Sequence, residues 1–136
     1  MLRIITAYLS TGLVFVVLDA LWLSNMGGWY RRALGDAMAA DFRLVPAIVF
    51  YLLFLAGLLI FAVMPALASG RLGTALLWGA LYGFFTYMTY DLTNHSVMVQ
   101  WPLKVAVVDI IWGTVLAAGS ATFGTLIARS VLERLG

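Results

Sequence analysis

Four apolar runs, each near the roughly 20 residues a helix needs to cross a bilayer, take up most of the chain and leave little for anything else. They lie at about Arg3 to Ser24, Leu44 to Pro65, Gly73 to Thr93 and Leu103 to Arg129. With 64% hydrophobic and 10% charged residues and a mean hydropathy of +1.03, the 136-residue chain falls in the polytopic membrane class. The expected fold is all-α: a single domain over 1–136 with four transmembrane helices. The first run is read as retained rather than as a cleaved signal, because its apolar core continues through Asp19-Ala20-Leu21-Trp22-Leu23 without a small-residue stop.

Between the first two runs, Tyr30, Leu34, Met38 and Phe42 recur every four residues with Arg31, Arg32, Asp36 and Asp41 interspersed. That pattern predicts a short helix lying in the headgroup region. Pro46 suits the first turn of the second span and Pro65 its stop. Gly79-x-x-x-Gly83 in the third span, and Gly113, Ala117, Ser120 and Gly124 in the fourth, form faces of small residues that allow close helix approach, either within the chain or in a homo-oligomer.

The hydrocarbon character breaks at Thr86 to His95, which holds an aspartate, an asparagine, threonines, two tyrosines and the one histidine. Tyr87, Tyr90, Asp91 and Asn94 continue the face that carries Gly79 and Gly83, which turns them toward the other helices. Antiparallel succession of four spans puts Asp19, Asp91 and Asp109 within about two turns of one membrane face. An aspartate at the centre of a spanning helix costs roughly 2.5 to 3.5 kcal/mol on insertion scales, so three in one layer need partners, water or protonation. Asp19-x-x-Trp22 and Asp109-x-x-Trp112 echo one another. The residues expected to form a polar ligand-binding site are therefore Asp19, Trp22, Tyr51, Tyr87, Tyr90, Asp91, Asn94, Asp109 and Trp112.

The absence of cysteine removes disulfide relays, thiolate metal sites and iron-sulfur clusters. One histidine argues against haem pairs and histidine-rich di-iron centres. No metal set is assigned, the cofactor stays open, and nothing points to nucleic acid. The flanking cations divide evenly, Arg3, Arg71, Arg129 and Arg134 against Arg31, Arg32, Arg43 and Lys104. The positive-inside rule thus returns a tie, and cytoplasmic termini are taken as the working orientation.

The ordered set Asp19-x-x-Trp22-Leu23, Phe50-Tyr51-Leu52-Leu53, Thr89-Tyr90-Asp91-Leu92-Thr93-Asn94, Trp101-Pro102-Leu103 and Val108-Asp109-x-x-Trp112-Gly113 resembles a family of short bacterial membrane proteins, domain of unknown function 2177. The resemblance implies a four-span protein of the bacterial inner membrane and carries no activity with it. Three functions compete on the residues themselves. The first is a carrier or binding protein in which the Asp, Tyr and Asn layer takes a proton, a cation or an amphipathic ligand from the bilayer. The second is an enzyme on a lipid or isoprenoid, and the third a structural or accessory subunit.

Overall fold

A computed structural model describes all 136 residues, and it is helical throughout, with no strand. Helix α1 runs Leu2–Leu34, α2 Leu44–Ser69, α3 Leu72–Val97 and α4 Leu103–Leu135. Glycine makes two of the stops, since Gly35 (φ 55°) ends α1 and Gly70 (φ 75°) ends α2 in conformations that a Cβ disfavours. Pro102 precedes α4 as its N-cap, and Pro46 sits in the first turn of α2.

Pro65 does not stop its helix as expected. The turn before it, Leu59–Val63, widens to π geometry, and the helix then continues through Met64–Ser69. A proline ring inside a regular helix collides with the carbonyl four residues back, and a π-turn is one of the distortions that accommodates an irregularity of this kind.

The headgroup helix is also corrected. α1 runs unbroken through Tyr30 to Leu34, a single 3₁₀ turn covers Gly35–Ala37, and Met38–Arg43 are not helical. Two local causes keep α1 going. Ser24 Oγ donates to the carbonyls of Ala20 (2.9 Å) and Leu21 (3.1 Å), and Asn25 Nδ2 donates to Leu21 (2.7 Å), so these polar residues bond back into the helix instead of ending it. Gly27 and Gly28 cost about 1 kcal/mol each, which docking of the extension onto α4 offsets. The four-residue spacing reported a real apolar face, but Leu34 on that face is 5% exposed and turned into the protein.

By length and composition three helices can cross a membrane: the first, as Leu2–Ala37, then Leu44–Ser69 and Leu103–Leu135. The four-span expectation thus falls short at α3. Its 26 residues would extend about 39 Å, but the run from Thr86 to Asn94 makes it too polar to qualify with the others.

The helices close on one another through their small residues. A Cβ at Gly83 would strike the Gly113 carbonyl and the Ala117 methyl, and one at Gly79 would lie 2.9 Å from the Ala117 carbonyl and from the Ala121 methyl. Gly124 receives Thr11 of α1 in the same way. The faces that sequence alone left open to a homo-oligomer are thus packed inside the chain, with Gly79, Gly83, Gly113, Ala117 and Gly124 all buried. On α2, Gly57 leaves room for the Tyr82 hydroxyl, which donates to the Phe54 carbonyl at 3.0 Å.

These contacts separate two glycine substitutions that helix propensity treats alike. Gly27→Ala, with nothing within 4 Å of the new methyl, should raise stability by up to about 1 kcal/mol. Gly83→Ala should gain the same propensity but lose about 1 to 3 kcal/mol to overpacking against backbone that has nowhere to go. Thermal unfolding in detergent of the two variants should therefore move in opposite directions.

Candidate functional site

The three buried-layer acids are each served by an aromatic N–H or O–H donor. Asp19 Oδ2 accepts from the Tyr51 hydroxyl at 2.7 Å and its Oδ1 from the Trp112 indole at 3.3 Å. Asp109 Oδ1 accepts from the Tyr30 hydroxyl at 3.0 Å, and the Tyr30 oxygen in turn accepts from the Trp22 indole at 3.2 Å. Asp91 Oδ1 accepts from the Trp101 indole at 3.3 Å. Indole and phenol carry a donor on an otherwise apolar body, so they supply the acid without bringing a second charge into hydrocarbon.

The two Asp-x-x-Trp segments are reciprocal in space. α1 and α4 run antiparallel, which sets each tryptophan level with the other segment's aspartate: Trp112 donates to Asp19, and Trp22 reaches Asp109 through Tyr30. The indoles themselves stack, with ring centroids 4.4 Å apart and planes 4° from parallel. An echo of two residues in the sequence is thus a closed exchange between two helices.

Asp91 differs from the other two acids. It is fully buried, Oδ2 has no hydrogen-bond partner, and its carboxyl lies within hydrogen-bonding range of the Asp109 carboxyl. The turn that carries its donor is fastened by His95, whose Nδ1 lies 2.6 Å from the Trp101 carbonyl oxygen. Tyr90 packs edge-on against Trp101 at 5.6 Å. Asn94 faces Tyr90 rather than any acid. Tyr87 lies over Gly113, which has no side chain to displace it, and stands within electrostatic reach of both Asp19 and Asp109. The structure therefore gathers Asp19, Trp22, Tyr51, Tyr87, Asp91, Asp109 and Trp112 and leaves Tyr90 and Asn94 at the margin.

Beside this layer lies a cavity of about 500 Å³, within the usual range for small-molecule sites. One wall is the start of α2, with Pro46, Ala47, Phe50 and Phe54, and the other is α3, with Thr86, Tyr87 and Tyr90. Asp109 of α4 closes the inner end. The gap exists because the α2 backbone meets α3 chiefly from its π-turn onward, with Tyr82 fitting against Gly57 just before that turn, while the earlier part of α2 leans away. Phe54 stands at the vertex, 5.0 Å from the Tyr82 ring and 6.0 Å from the Tyr87 ring. No three His, Asp or Glu side chains come together as a metal-ligand group.

The description Predicted membrane protein (DUF2177) matches residues 4–126, nearly the whole chain. The chain belongs to that family. No curated protein and no solved structure matches it. The family is one of membrane proteins whose function is unknown, as the sequence motifs implied.

Sequence reading missed Tyr30, Trp101 as a donor, and the cavity wall at Phe50 and Phe54. Tyr30 had a visible signal, since Asp19, Trp22, Met26 and Tyr30 follow helical spacing once α1 is allowed to continue. The wall had none, because an aromatic stripe on α2 looks the same whether a neighbour covers it or not.

Tyr30→Phe tests the layer directly. It removes the donor to Asp109 and the acceptor of Trp22, and should lower stability by about 1 to 3 kcal/mol in detergent unfolding. A residue merely resting among headgroups would give a change within about 0.5 kcal/mol.

Proposed function

We propose that this is a multi-pass protein of the bacterial inner membrane, with α3 as a fourth span, that binds an amphipathic ligand entering from the bilayer between α2 and α3. The observation that carries the reading is the cavity: apolar and aromatic on its walls, open between two helices, and closed at its inner end by Asp109. A ligand with a chain and a polar end matches that gradient, the chain against Pro46, Ala47 and Phe50 and the polar end toward Asp109 and Tyr87. Packing of α3 against α4 through Gly79 and Gly83 supports the fourth span, because Asp91, the acid of the polar segment, is then fully buried in protein, while Thr89, Tyr90 and Thr93 stay exposed. The donors around the acids support binding over a purely structural role only at Asp109. Its Oδ1 is engaged by Tyr30, and the carboxyl also borders the cavity.

Filling the cavity without touching the acids decides between binding and structural roles. Ala47→Trp places an indole in the mouth, at a half-buried position on the lipid side. Native mass spectrometry should show the wild-type protein retaining a chain-bearing adduct that the variant loses, with unfolding temperature unchanged. Equal retention in both proteins would reject the cavity as the site.

A further inference from the structure

We propose that the inner end of the cavity receives an alkylammonium headgroup, held between the aromatic faces of Phe50, Phe54, Tyr87 and Tyr90 and the Asp109 carboxylate. The inference rests on the cavity reading and names the chemistry of its polar end. Four aromatic rings and one carboxylate around a single cavity form the arrangement that attracts a desolvated organic cation, since each ring presents a negative face. Phe50 and Phe54 lie 5.4 Å apart and tilted by 41°, so two of these rings already form a corner.

Asp91 gives the independent observation. Its carboxyl lies within hydrogen-bonding range of the Asp109 carboxyl, and its Oδ2 is buried with no donor outside that pair. Two carboxyl groups side by side concentrate acidic oxygen at this end of the cavity, which favours a cationic headgroup there over an anionic one. The remaining lining argues against anionic headgroups. No lysine or arginine borders the cavity, so a lone phosphate or carboxylate would meet only acid.

An ammonium on a chain has two sources, a single-charge cationic amphiphile or a choline-type zwitterion. The test uses the full chain in nanodiscs of an uncharged diacyl glycolipid. Labelled dodecyltrimethylammonium, dodecylphosphocholine and dodecyl glucoside are compared after subtracting uptake by protein-free discs. The ammonium should bind at least about tenfold more tightly than the glucoside. Asp109→Asn and, separately, Phe50→Leu should each remove most of that preference and leave glucoside binding as it was. Phe50 is 46% exposed on the lipid side, so its substitution keeps the test open if the aspartate variant misfolds. Phosphocholine binding as tight as the ammonium assigns the zwitterion as the source, and weaker binding assigns the single-charge amphiphile. Equal binding of ammonium and glucoside, or a preference that survives both substitutions, overturns the headgroup assignment while leaving the cavity. Failure of all three chains to bind overturns both.

Discussion

An aspartate in hydrocarbon is tolerated only if something nearby repays roughly 2.5 to 3.5 kcal/mol, and the membrane-length helices α1 and α4 carry Asp19 and Asp109, with Asp91 of α3 beside them. The chain's cations are no help, because Arg31, Arg32, Arg43 and Lys104 are at that end of the protein but outside the acid layer. The donors are instead Trp22, Trp101, Trp112, Tyr30 and Tyr51. Each of these side chains is mostly ring, so it packs as a hydrophobe and presents one N–H or O–H. The helix arrangement follows from that requirement. Trp112 reaches Asp19 while Tyr30, backed by Trp22, reaches Asp109, a pair of contacts that needs α4 antiparallel against α1, and the close approach at Gly124 and Thr11 permits it.

The same geometry produces the cavity. α3 is held against α4 by Gly79 and Gly83 and cannot follow α2, while Tyr51 ties the first half of α2 to Asp19 on α1. Between these two attachments α2 and α3 diverge, with Phe54 as the wedge. Asp109 is where the acid layer and the cavity meet, one of its oxygens engaged by Tyr30 and its carboxyl at the inner end of the gap. In the proposed reading the same side chain serves both the acid layer and the cavity.

Much of this was legible in residues. Helical spacing turned Tyr87 and Asp91 inward together with Gly79 and Gly83, and helix alternation alone brought Asp19, Asp91 and Asp109 to one end. The failures have physical sources. Ser24, Asn25 and the two glycines after them look like the end of α1, but side chains bonding back to helical carbonyls are indistinguishable in sequence from side chains capping a new start. Pro65 reads as a stop unless a π-turn absorbs it, and nothing in Leu59–Val63 announces one. Asn94 shares the face of Asp91 but lies almost a full turn further along, beyond the acids. The exchange between Asp19 and Trp112 could be seen only as a repeated spacing, since reciprocity belongs to the antiparallel pair and not to either helix.

The central claim is that the acids of α1 and α4 are satisfied across the interface by the aromatic donors of the opposing helix. A double-mutant cycle on Asp19→Leu and Trp112→Phe, followed by reversible unfolding in detergent or bicelles, measures it most directly. The account predicts that Trp112→Phe is costly while Asp19 is present and nearly silent once it is replaced, with a coupling of about 1 kcal/mol or more. Costs that simply add, to within about 0.5 kcal/mol, would mean that the indole and the carboxylate do not depend on each other, and would contradict it.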